Sequence, residues 1–177
     1  MTVEVNGIAH VQLTVSDAER CLPFWERLCH FLGMRTLVKG RGVLYCIGSR
    51  TGILVRGAAE EKRDVPFDQE TSGLHHFCFR ARRREDVDAI HRFVVDELEA
   101  RVIHPPEDAP RFAPGYYSLL FEDPDGIHVE VNHVPGKGHL GPGGLLGPGG
   151  RGPADGYGSA GLTHSGEPDP GRGASDG

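Results

Sequence analysis

Cysteine is scarce in this chain of 177 residues: there are four, Cys21, Cys29, Cys46 and Cys78, and no two form a C-x-x-C pair or a framework spacing. That excludes a disulfide-stapled scaffold and a thiolate zinc site, and leaves small buried thiols in a reducing cytosol as the expectation. Long apolar runs are absent as well. No stretch approaches the eighteen or so residues that a membrane helix needs, so no membrane partner is expected. The opening Met1-Thr2-Val3-Glu4-Val5-Asn6 has neither a basic region nor an apolar core, which argues against a signal peptide and for a cytoplasmic location. Basic excess is missing too. Lys and Arg number 19 against 25 Asp and Glu, for a net charge of −6, and the run Arg80-Ala81-Arg82-Arg83-Arg84 stands alone. Nothing here recruits nucleic acid, and the run reads as a solvated strand end and loop.

What the chain does have is a repeat. Gly7-Ile8-Ala9-His10-Val11-Gln12-Leu13 returns sixty-six residues later as Gly73-Leu74-His75-His76-Phe77-Cys78-Phe79. Each copy opens on glycine and continues as an alternating strand. From Ile8 to Val15, Ala9, Val11, Leu13 and Val15 share one face and His10, Gln12 and Thr14 the other. Ser16 with Glu19 reads as a capping box, and a helix is expected to about Leu32, kinked or restarted at Pro23 and stopped by Gly33. Strands are expected over Met34–Lys39, Val43–Ile47 and Ile53–Arg56. After a polar linker over 57–72 the order restarts. It runs through Leu74–Arg80, a helix over Arg84–Ala100, a strand over Arg101–His104 ended by Pro105-Pro106, and a hairpin of Tyr116–Phe121 with Ile127–Val134. The turn Pro124-Asp125-Gly126 closes that hairpin with a preset φ, a short side-chain acceptor and a residue tolerant of positive φ.

The sequence therefore predicts an α+β fold of two strand-helix-three-strand modules, residues 5–57 and 73–134, forming one domain over 5–134. Beyond it, 135–177 holds 16 of the 26 glycines and 6 of the 13 prolines. Such a tail cannot bury enough surface to offset the entropy of ordering and is expected to be disordered, with His139, Tyr157 and His164 as passengers.

The repeat also nominates a site. It places His10 and His76 at equivalent points on the polar faces of two strands. In the closing strand His128, Glu130 and Asn132 share a face, and Glu130 is a carboxylate in an apolar strand that needs a cation, a proton or a strong partner. Two imidazoles and one carboxylate form a three-ligand set with open positions, suited to Fe(II) or Mn(II) and admitting Zn or Ni. His75 competes with His76, but strand parity pairs His75 with Ala9 on the apolar face. Matching Gly52–Arg56 with Gly126–Glu130 makes Arg56 the first module's counterpart of Glu130, so only one set is expected. The bland alternatives are a solvated strand face for His10, an edge-strand acid for Glu130 and an exposed polar residue for His128.

These residues also carry a likeness. Ile8–Asp17, Pro23-Phe24-Trp25, Leu74–Phe79 and Phe121–Val131 resemble the vicinal oxygen chelate superfamily, which includes glyoxalase I, extradiol dioxygenases, fosfomycin-resistance thiol transferases and bleomycin-binding proteins. The resemblance covers about residues 5 to 134. It implies paired βαβββ modules with curved sheets around a divalent metal held by His10, His76 and Glu130. It further implies a small-molecule substrate with vicinal oxygens or an electrophilic centre, and modules paired across a homodimer. Gln12, Tyr116, Tyr117 and His128 are the candidates for acid/base or positioning work, with core packing the alternative for both tyrosines. A metal-independent protein that sequesters a small molecule, as bleomycin-resistance proteins do, is the competing expectation.

Overall fold

Alternation and helical periodicity become eight strands and two α-helices in a computed structural model that describes residues 2–5, 7–48, 50–142 and 149. The first module is β1 (Val11–Val15), α1 (Ala18–Phe31), β2 (Arg35–Gly40), β3 (Val43–Gly48) and β4 (Thr51–Gly57). The second is β5 (His76–Arg80), α2 (Arg84–Asp96), β6 (Val102–Asp108), β7 (Tyr117–Glu122) and β8 (His128–His133). Each builds a four-stranded sheet of the same order, β1-β4-β3-β2 and β5-β8-β7-β6. In both, the first and last strands lie parallel: Val11 pairs with Ile53 and His76 with His128. The duplication read from two short motifs is thus a duplication of topology.

Several local expectations shift. Asp17, not Ser16, caps α1: its Oδ1 accepts the Arg20 N–H at 3.1 Å. The Ser16 hydroxyl instead donates to Asp125 Oδ1 at 2.8 Å, a partner 109 residues away. The helix passes through Pro23 as one element. Its end follows expectation: Gly33 takes φ +78°, its N–H bonds the His30 carbonyl at 3.0 Å, and the Met34 N–H bonds the Cys29 carbonyl at 2.9 Å. The second helix ends at Asp96, short of Ala100, and Glu99 turns the chain at φ +51°. Pro105-Pro106 does not end β6, which runs on to Asp108. It is an edge strand, where a missing N–H costs no ladder bond on the open side.

The chain divides into two compact units, Met1–Glu107 with Ser118–His133 and Asp108–Tyr117 with Val134–Gly177. In the first, α1 seats module one on module two. Trp25 is fully buried. Its ring stacks on Phe77 with centroids 5.9 Å apart, and its Nε1–H donates to Asp123 Oδ2 at 2.9 Å. Phe31 stacks on Phe93, and Arg27 bonds Glu97 at 3.0 Å. The Asp123–Gly126 turn therefore does more than close a hairpin: its two carboxylates receive α1. In the second unit the Ala109 N–H bonds the Tyr116 carbonyl at 2.9 Å, Phe112 packs on Tyr116, and a 3-10 turn, Gly138–Leu140, brings the His139 Nε2 to the Phe112 carbonyl. Of the stretch expected to be disordered, residues 135–142 include this turn; 143–148 and 150–177, with Tyr157 and His164, lie outside the described residues. No helix among the described residues is long and apolar enough to cross a membrane.

Candidate metal centre

β8 delivers the acid of the site. Ile127, Val129 and Val131 anchor it in the core, and the alternate positions His128 and Glu130 are nearly as buried, at 8% and 4% exposure. β5 runs parallel beside it, with His76 opposite His128 and Cys78 opposite Glu130. In parallel pairing, residues in register share a face, so His76, Cys78, His128 and Glu130 line one surface. There His76 Nε2 lies 3.2 Å from Glu130 Oε2. Two ligands on adjacent positions of one ion, each at about 2.1 Å, would be separated by about 3 Å. The pair thus fits a divalent cation in donor type and spacing, and in its absence forms an ion pair when His76 is protonated.

The neighbours tune this pair. His75, expected on the apolar face, is exposed, and its Nδ1 lies 2.8 Å from His76 Nδ1. A metal on His76 Nε2 requires the proton on Nδ1, and His75 Nδ1 stands ready to accept it. Burial first, and the neighbouring His76 second, hold the His75 imidazole below its ordinary pKa, which keeps it a neutral acceptor. Cys78 is the one cysteine of the four that reaches solvent, contrary to the expectation of four buried thiols. Its Sγ nevertheless sits among groups that withdraw it from water, and that withdrawal, followed by the hydrogen-bonded Glu130 carboxylate, pushes its pKa up. Cys78 is therefore a thiol rather than a nucleophilic thiolate. His128 is not the exposed residue of the bland reading. Its Nε2 lies 3.1 Å from Glu122 Oε1, and Glu122 is gripped by Arg101 Nη1 at 3.2 and 3.1 Å. This Arg101–Glu122–His128 chain leaves Nδ1 of His128 buried without a hydrogen-bond partner.

His10 stands apart. It is exposed, immediately before β1, with its ring edge-on to Tyr45 at 6.3 Å. Among the described residues no three His, Cys, Asp or Glu side chains of one chain converge to hold a metal. The structure brings His76 and Glu130 together and leaves His10 outside. Gln12 is exposed on β1, on the His10 side. Tyr116 is half-buried and Tyr117 is 8% exposed; both belong to the second unit. The register also corrects the first module's counterpart of Glu130. β1 pairs Gln12 with Leu54 and Thr14 with Arg56, as β5 pairs Cys78 with Glu130 and Arg80 with Asn132. The counterpart is Leu54, and Arg56 answers to Asn132. In the sequence each stretch opens on a glycine, Gly52 and Gly126, which disguised a shift of two residues. Leucine offers no ligand either.

The fold and this site define a class of protein. The model of the Glyoxalase/Bleomycin resistance protein/Dioxygenase superfamily matches residues 7–131. The chain belongs to that superfamily. It is similar to the uncharacterized protein YqjT of Bacillus subtilis (strain 168), 29% identical over 127 residues, which covers 69% of this chain and 94% of that protein. In three dimensions it resembles the lactoylglutathione lyase of Agrobacterium tumefaciens with TM-score 0.54 and 24% identity, over 73% of this chain and 95% of that one. It also resembles a glyoxylase/bleomycin resistance protein/dioxygenase domain from Frankia sp. EAN1pec with TM-score 0.59 and 22% identity, over 77% and 97%. These structural likenesses establish the fold.

Proposed function

We propose that the chain is a divalent-metal-dependent enzyme of the glyoxalase/dioxygenase type, acting on a small substrate with vicinal oxygens or an electrophilic centre. His10, His76 and Glu130 hold the ion, which is Fe, Mn, Zn or Ni. The observation that carries this is the 3.2 Å contact of His76 Nε2 with a carboxylate that is 4% exposed on the face of β8. Burying a carboxylate beside an imidazole costs several kcal/mol, of about the size that a bound cation offsets. A bound divalent ion supplies Lewis acidity that polarises substrate oxygens and stabilises developing negative charge. The chain's own groups do the rest. His75 holds the proton of His76 away from the site. His128, fixed by Glu122 and Arg101, presents Nδ1 as a preset acceptor beside it. Gln12 brings an amide from the His10 strand.

Since one chain does not gather all three ligands, the reading includes a homodimer in which His10 of one copy meets His76 and Glu130 of the other. The test is elemental analysis of anaerobically purified protein beside His10→Ala, His76→Ala and Glu130→Ala. The expected result is near-stoichiometric metal in the wild type and a loss of about tenfold or more in affinity for each variant. Unchanged occupancy in all three would falsify the site and leave metal-independent sequestering as the surviving explanation.

A further inference from the structure

The two histidines of the repeat are held in different ways, and the difference points to a residue outside the ligand set. His76 is clasped on both ring nitrogens, by His75 and Glu130. His10 precedes the first ladder pair of β1, and among the described residues no hydrogen bond orients its imidazole. What touches it is the ring of Tyr45, edge-on at 75°.

Tyr45 reaches His10 because residue 52 is glycine. On β3, Tyr45 lies opposite Leu54 and Ile47 opposite Gly52. The Tyr45 side chain leans along the strand by one pleat and lies across Gly52. A Cβ at position 52 would come within 2.6 Å of Tyr45 Cε2 and 2.9 Å of its hydroxyl oxygen. Gly52 has no positive φ, so its backbone would accept any side chain. The one thing glycine provides there is the space the phenol fills. The second module shows what that space is worth. Its residue at the place of Gly52 is His128, in register with His76, whose imidazole bonds Glu122 and lies edge-on to His75. Each module thus carries a ring at the position its register sets opposite the repeat histidine. In module two the ring grows from that position. In module one it arrives from β3 through the gap left by Gly52.

We propose that Tyr45, seated on Gly52, is the positioning residue that holds the His10 imidazole in its metal-binding orientation. This rests on the reading of His10 as a ligand. The contact is ring against ring, so it belongs to the aromatic edge and not to the hydroxyl. The experiment is Co(II) titration followed by visible absorption, together with the His10 imidazole resonances of the metal-free protein. Wild type, Tyr45→Ala, Tyr45→Phe, Gly52→Ala, the double variant Gly52→Ala/Tyr45→Ala, and His10→Ala are compared. Tyr45→Ala and Gly52→Ala are each expected to weaken Co(II) binding by about tenfold and to shift the His10 resonances. Tyr45→Phe retains wild-type behaviour. In the double variant Gly52→Ala adds nothing, because the ring it would displace is gone. Gly52→Ala keeps the question answerable if Tyr45→Ala folds poorly. Should His10→Ala weaken Co(II) while Tyr45→Ala and Gly52→Ala bind as wild type does, the positioning role is overturned and the ligand reading survives. Should His10→Ala itself leave Co(II) binding intact, the ligand reading fails and takes the positioning role with it.

Discussion

Asp123 shows how much one side chain can be asked to do. It is 4% exposed, its Oδ1 accepts the N–H groups of Asp125 and Ile127 at 2.9 and 2.8 Å, and its Oδ2 accepts from Trp25. Burial outweighs these donors and pushes its carboxyl up to about 6. A carboxyl raised in the folded state binds its proton more tightly there than in the unfolded chain. Its stabilising share is therefore present at acid pH and lost as pH rises through 6. Between about pH 4.5 and 7.5 this amounts to about 2 kcal/mol. In urea unfolding, the advantage of wild type over Asp123→Asn should shrink by about that much across this range. A gap that is constant or widens with pH would contradict the assignment. Asp125 has the opposite sign. Its burial is outweighed by bonds from Ser16 and Arg20, so its carboxyl is held low and its contribution is lost in acid. The sequence marked both aspartates as turn residues through their neighbours Pro124 and Gly126. Their partners on α1, Trp25 and Arg20, lie some hundred residues away and left no local trace.

Elements were legible where their signals are local. Gly33 ends α1 because an αL residue is needed after the last turn, and a Cβ there would meet nothing within 4 Å. Gly33→Ala should thus cost backbone strain alone, about 1 kcal/mol, seen as a lower urea midpoint with an unchanged slope. A larger loss would mean that the glycine serves packing. Elements were misread where two local signals competed. Ser16 and Asp17 are both good caps, and the choice fell to Asp17 because Asp125 claims the serine hydroxyl. Register was the harder case. Gly52 and Gly126 look alike in a strand-opening motif, yet pairing with β1 and β5 sets their strands two residues apart. A shift of two leaves every side chain on its expected face, which is why alternation could not expose it.

At the scale of the molecule the proposed metal site raises the question of where its third ligand would come from. If His10 serves the site of a second copy, His10→Ala and Glu130→Ala should each be metal-poor alone. Unfolded together in equal amounts and refolded, they should recover about a quarter of the wild-type metal, because half the dimers carry one intact site of two. No recovery would exclude the shared site.

Sequence alone determined the α+β class, the duplicated module, the histidine and carboxylate that meet at 3.2 Å, and the superfamily, because alternation, turn chemistry and repetition are written in short windows. Tertiary structure decided the rest. It made Leu54 the first-module counterpart of Glu130, made Gly52 a seat for Tyr45, turned the Asp123–Gly126 hairpin into the dock for α1, and separated His10 from its expected partners. Each of those depends on which strands and helices meet in space. No local periodicity encodes that, since strand pairing within a module sets the register and the seat of Tyr45, and packing of the two modules sets the dock for α1.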